Sequence, residues 1–121
     1  MYQPEQHRED RLDVQHDLIE THPFGLLISH DREGLQANGL PFLLQRSIGP
    51  FGRLQAHIAR ANSQWRELDG AEVLVVFQGP LNYVTPAFYE TKRETGKVVP
   101  TWNYAMVQAR GTARVRADTE W

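Results

Sequence analysis

Two short stretches of this chain concentrate side chains able to hold a charged, flat ligand. One is the nonapeptide Gly96-Lys97-Val98-Val99-Pro100-Thr101-Trp102-Asn103-Tyr104, which joins a cation, a hydroxyl, an indole, an amide and a phenol around a rigid proline. The other is His57-Ile58-Ala59-Arg60-Ala61-Asn62-Ser63-Gln64-Trp65. A guanidinium forks onto phosphate oxygens, and the free N–H groups of a helix's first turn attract anions. Lys97, Thr101 and Trp102 together suit an anionic aromatic ligand. For residues 60–63 a blander reading stands beside this one: a capped helix with a surface arginine.

Other chemistry has less support. The chain has no cysteine, which rules out a thiolate metal site and a cysteine nucleophile. Its five histidines show no metal-ligand spacing. There is no Gly-x-Ser-x-Gly elbow, no phosphate-binding P-loop and no dinucleotide fingerprint, and no catalytic residue can be named. Arg110, Arg114 and Arg116 form a cationic strand face, but the net charge of −2 gives no basic footprint for nucleic acid. The N-terminus is polar and acidic, unlike a signal peptide, and no apolar run approaches membrane-spanning length. A cytoplasmic location is the expectation.

The elements that must position these residues follow from periodicity. Residues 10–21 predict a helix with Val14, Leu18 and Ile19 on one face, Asp10 as its cap and His22-Pro23 as its stop. Residues 24–30 and 35–45 predict strands joined through Asp31-Arg32-Glu33-Gly34, with Pro41 marking an edge, a bulge or a break. After a turn at 48–52, residues 53–58 alternate as a strand. Asn62 or Ser63 is placed to cap a short helix through Leu68, with Trp65 packed beside Leu68. Residues 72–78 predict a strand buried on both faces, and Gly79-Pro80 a turn. Thr85 is a cap for a helix opening at Pro86. Residues 97–117 return to strand patterning. Many short strands and few helices predict a mainly β domain, a β-barrel with helical additions. Asp118-Thr119-Glu120-Trp121 reads as the opening of a further helix, so residues 1–121 are expected to be a single domain incomplete at its C-terminus.

Taken in order, Leu40-Pro41-Phe42-Leu43-Leu44, residues 57–65, Phe77-Gln78-Gly79-Pro80, Tyr83-Val84-Thr85-Pro86 and residues 96–104 resemble the PaiB family over nearly the whole chain. The resemblance implies a split β-barrel of the FMN-binding type, a homodimer with FMN near the subunit interface, and negative transcriptional regulation of protease synthesis and sporulation. It implies cofactor contacts at His57, Arg60, Asn62, Lys97, Thr101 and Trp102. By their chemistry, Arg60, Asn62 and Lys97 suit the phosphate, Thr101 and Trp102 the ring, and His57 either part. Two other functions are open: a flavin-dependent oxidoreductase, or a haem-binding protein using His57 or His30. The lack of an acid–base constellation favours a non-enzymatic regulator, and an acidic chain without a helix-turn-helix pattern argues that any regulation of DNA is indirect.

Overall fold

A computed structural model describes residues 1–84 and 101–117 of the chain, with the backbone alone at 81–84 and 101–103. After a 3₁₀ turn at Glu5–His7 come helix α1 (Leu12–Thr21) and strands β1 (Phe24–Asp31), β2 (Gly34–Gln45) and β3 (Arg53–Ala56). A second 3₁₀ turn, Ser63–Glu67, leads to β4 (Glu72–Val84) and β5 (Thr101–Thr112). The five strands form one antiparallel sheet in the order β3-β2-β1-β4-β5, curled into a half-barrel. The expected mainly β, split-barrel architecture is therefore the one observed.

One face of the sheet carries the core. Alternation along β1 and β4 turns Leu27, Val75 and Phe77 inward, where they bury against Ile19 of α1 and Leu68. Phe42 meets Phe77 edge to face, with ring centroids 5.6 Å apart. His16, also buried on α1, donates from Nε2 to the Phe51 carbonyl at 2.7 Å and so fastens the β2–β3 turn to the helix.

Several local expectations are corrected. Asp10 does not cap α1: the cap position is Arg11, with no side-chain cap bond, and Asp10 instead pairs with Arg8. The His22-Pro23 stop holds. Pro41 neither bulges nor breaks β2. It pairs with Phe24 at the last rung of the β1–β2 ladder, and the β3 ladder begins one residue later, at Phe42 and Ala56. Because the Phe42 N–H turns toward β1 and bonds the Pro23 carbonyl, the missing N–H of Pro41 faces a position where no ladder bond is due.

Gly79-Pro80 is likewise no turn. β4 runs through it to Val84, absorbing the pair as an irregularity between Gln78 and Leu81. Among the described side chains of β4, Val75 and Phe77 are buried while Leu74 and Val76 are half-buried, so over residues 72–78 a single face is core. β3 ends at Ala56 rather than residue 58, and the predicted helix after it is a five-residue 3₁₀ turn. Its cap is Asn62, as expected, accepting from the Gln64 N–H. β5 ends at Thr112, short of residue 117. The helix expected from Pro86 and the one expected from Asp118 lie outside the described residues.

Candidate functional site

The connection between β3 and the second 3₁₀ turn, residues 57–62, carries three of the six expected contacts and is held from several sides. The Asn62 N–H bonds the Ala59 carbonyl at 2.9 Å, and Trp65 Nε1 donates to the Arg60 carbonyl at 2.9 Å. Trp65 is thus a half-buried brace, while Leu68 is the core residue of that pair. The Arg60 side chain is exposed and forms no ion pair with another described residue. His57 is exposed at the rim of a shallow, mostly apolar cleft of about 270 Å³ lined by Pro41, Leu43, Gln55 and Ala56.

Beneath the loop lies a residue that periodicity does not single out. Gln64 is 1% exposed. Its Nε2 donates to the Leu27 carbonyl and to Ser29 Oγ, both at 3.0 Å, with a longer 3.4 Å bond to the Gln36 carbonyl. Its Oε1 accepts from Asn38 Nδ2 at 2.7 Å, and Asn38 Nδ2 also reaches Asn62 Oδ1 at 3.4 Å. Every polar end of this buried amide is therefore matched. The network pins the loop to β1 and β2, and Arg32, paired with Glu67 at 2.8 Å, pins the far end of the 3₁₀ turn to the β1–β2 hairpin.

Three expected contacts remain. Lys97 lies outside the described residues. Thr101 and Trp102 open β5, paired with Val84 and Tyr83. Asn38, beside Asn62, is level with Leu27, Val75 and Ala109 along the sheet. Trp102 stands seven residues up β5 from Ala109. At ~3.3 Å per residue the two regions are about 23 Å apart along the strands, and three strands apart across the sheet. That span exceeds the ribityl phosphate arm of a flavin nucleotide. Within one chain His57, Arg60 and Asn62 share one loop, whereas Thr101 and Trp102 stand at the start of β5.

The donor types of the loop suit a phosphate: a solvent-exposed guanidinium two residues from an amide, on a backbone fixed by internal bonds. The 3₁₀ turn itself is too short to act through a helix dipole, and its capped N–H is taken by Asn62. Among the described residues no group of three or more His, Cys, Asp or Glu side chains is placed to hold a metal ion, and no helix is long and apolar enough to cross a membrane.

Comparison with known proteins agrees with this architecture. The family described as "Putative FMN-binding domain" matches residues 1–121. An uncharacterised protein of Emericella nidulans is 38% identical over 99% of this chain and 59% of its own length. One of Aspergillus fumigatus is 35% identical over 99% of this chain and 58% of its own length. Protease synthase and sporulation protein PAI 2 of Bacillus subtilis, the PaiB protein, is 29% identical over 99% of this chain and 56% of its own length. The chain thus spans under two thirds of the length of these relatives.

Proposed function

Because the chain belongs to the FMN-binding domain family, we propose that it binds FMN as a PaiB-like protein and that its output is regulatory rather than catalytic. The observation that carries the cofactor reading is the braced loop at 57–62, which carries an exposed Arg60 guanidinium and the Asn62 amide two residues apart. Lys97 completes the phosphate side, Thr101 and Trp102 attend the ring, and His57 lies beside either part. Since a single copy keeps the Asn62 and Trp102 regions about 23 Å apart along the sheet, the site is shared: the loop of one copy meets the β4–β5 end of a second in a homodimer. The regulatory reading follows the Bacillus relative, whose name ties it to protease synthesis and sporulation. A net charge of −2 gives no overall basic bias toward a duplex, which favours regulation of protease and sporulation genes in the cytoplasm through a partner over direct DNA contact.

Titration of the purified protein with FMN, followed by flavin absorbance and fluorescence, tests the cofactor. Wild type should bind, and Arg60→Ala and Lys97→Ala should each weaken binding. A protein indifferent to FMN, or one showing a haem Soret band, would overturn the reading. The shared site has its own test in a mixture of two non-binding variants, Arg60→Ala and Trp102→Ala. Equal mixing should restore about a quarter of the sites, since half of the dimers are mixed and each of those holds one intact site. No recovery would place both halves in one copy. NADH or NADPH oxidation in air by the flavin-loaded protein would argue for an enzyme.

A further inference from the structure

We propose that Asn38 and Gln64 are positioning residues that orient the Asn62 side chain, its oxygen turned into the protein and its Nδ2 donor turned out toward an acceptor oxygen of the bound ligand. The identity of that ligand rests on the flavin reading; the orientation does not.

The orientation follows from groups that have no choice. The carbonyls of Leu27 and Gln36 can only accept, so the Gln64 amide must turn its Nε2 toward them. Its Oε1 must then face Asn38, and Asn38 can satisfy it only by presenting Nδ2, at 2.7 Å. That same Nδ2 lies 3.4 Å from Asn62, which must therefore present Oδ1. The Gln64 backbone N–H makes the identical demand at 3.1 Å, since it can only donate. With Gln64 1% exposed, its own amide partners are protein groups rather than bulk water. Three amide orientations are set in sequence by two backbone carbonyls on β1 and β2.

One group remains once the relay is complete. Asn62 Nδ2 bonds no other described residue. No fully buried polar side-chain atom lacks a partner among the described residues, so this half-buried residue keeps its donor open to solvent. It sits two residues from Arg60, whose guanidinium is also exposed. Capping alone does not require asparagine here, because Asp or Ser accepts the Gln64 N–H as well. Only asparagine caps through oxygen and donates outward through nitrogen from the same side chain.

The test separates donor, cap and flavin. Asn62→Ser and Asn62→Asp should fold with melting temperatures near wild type, yet bind FMN about tenfold more weakly or worse, the loss expected for a hydrogen bond to a charged oxygen. Asn38→Leu should also weaken FMN, and Asn38→Leu with Asn62→Ser should be no weaker than Asn62→Ser alone, because Asn38 acts through Asn62. Additive losses, or wild-type affinity in Asn62→Ser, would overturn the proposal. Side-chain amide NMR of the ligand-free protein checks the orientation without flavin: Gln64 Nε2 protons should exchange slowly and those of Asn62 Nδ2 quickly. The reverse pattern refutes the relay whatever binds. A wild type that ignores FMN while showing the expected exchange defeats the flavin reading and the ligand half of the proposal, and upholds the orientation.

Discussion

Gly25 and Gly39 lie on neighbouring strands, yet a methyl group added to each would meet different company. At Gly25 a Cβ would come within 2.8 Å of Phe77 Cε1, 2.9 Å of Val75 Cγ1 and 3.0 Å of Phe42 Cδ2. Phe77 is fully buried and locked in its contact with Phe42, so nothing there can retreat. Gly25→Ala should therefore destabilise by about 1–3 kcal/mol in denaturant unfolding, the range for overpacking a core. At Gly39 the three nearest atoms all belong to Phe24, 2.5 Å away at Cζ, and that ring is exposed and free to swing aside. Gly39→Ala should cost less than about 1 kcal/mol. An equal loss at both would mean that Phe24 is held by something covering it. Neither close approach is legible in the sequence, since each depends on register between strands. The same is true of Gln64: spacing pairs Trp65 with Leu68 at three residues, but Gln64 is four from Leu68 and equally shares its face. A polar type at that position argues for the surface. Only the carbonyls on β1 and β2, brought beneath it by the fold, make its burial affordable.

Elements were legible where one signal dominated and illegible where partners decided. The apolar face and His22-Pro23 stop of α1, the Asp31–Gly34 hairpin and the Asn62 cap all rest on local chemistry, and all are found. Pro41 and Gly79-Pro80 mislead because proline's missing donor matters only if a neighbouring strand needs it, and β2 changes partner at one while β4 bulges at the other. The clasp between α1 and the β2–β3 turn is also a tertiary outcome: Arg46 donates to Asp17 at 2.6 Å and to Glu20 at 2.7 Å. Its hydrogen bond holds the Glu20 carboxyl below its ordinary value of 4.5. A carboxyl depressed in the folded state contributes its stability above the unfolded value and loses it as pH falls through the folded one. Arg46→Gln should thus lower the melting temperature slightly at pH 7, a small effect for an exposed pair, with the difference closing below about pH 4.5. A gap that survives at pH 3 would assign the role to packing of the arginine stem instead.

At the scale of the molecule, the two faces of the sheet are treated unequally. α1 and the 3₁₀ turn cover the inner face, whereas the outer face keeps Phe24 67%, Leu26 41%, Leu35 79% and Leu43 62% exposed. The cleft beside His57 opens onto this same surface at Pro41 and Leu43. A site divided between two copies needs an interface, and a standard one buries about 800 Å² on each partner. The outer face supplies apolar area of the right kind next to one half of the site. Charge placed there should separate the copies without harming the fold, because these side chains already meet solvent. Leu43→Glu combined with Leu26→Glu should leave the melting temperature close to wild type, move the sedimentation profile from dimer to monomer, and remove FMN binding in the same step. A charged variant that stays dimeric and holds FMN would put the contact on another surface. A monomer that holds FMN as tightly as wild type would show that one copy closes the gap between Asn62 and Trp102 alone, and the shared site would fall with it.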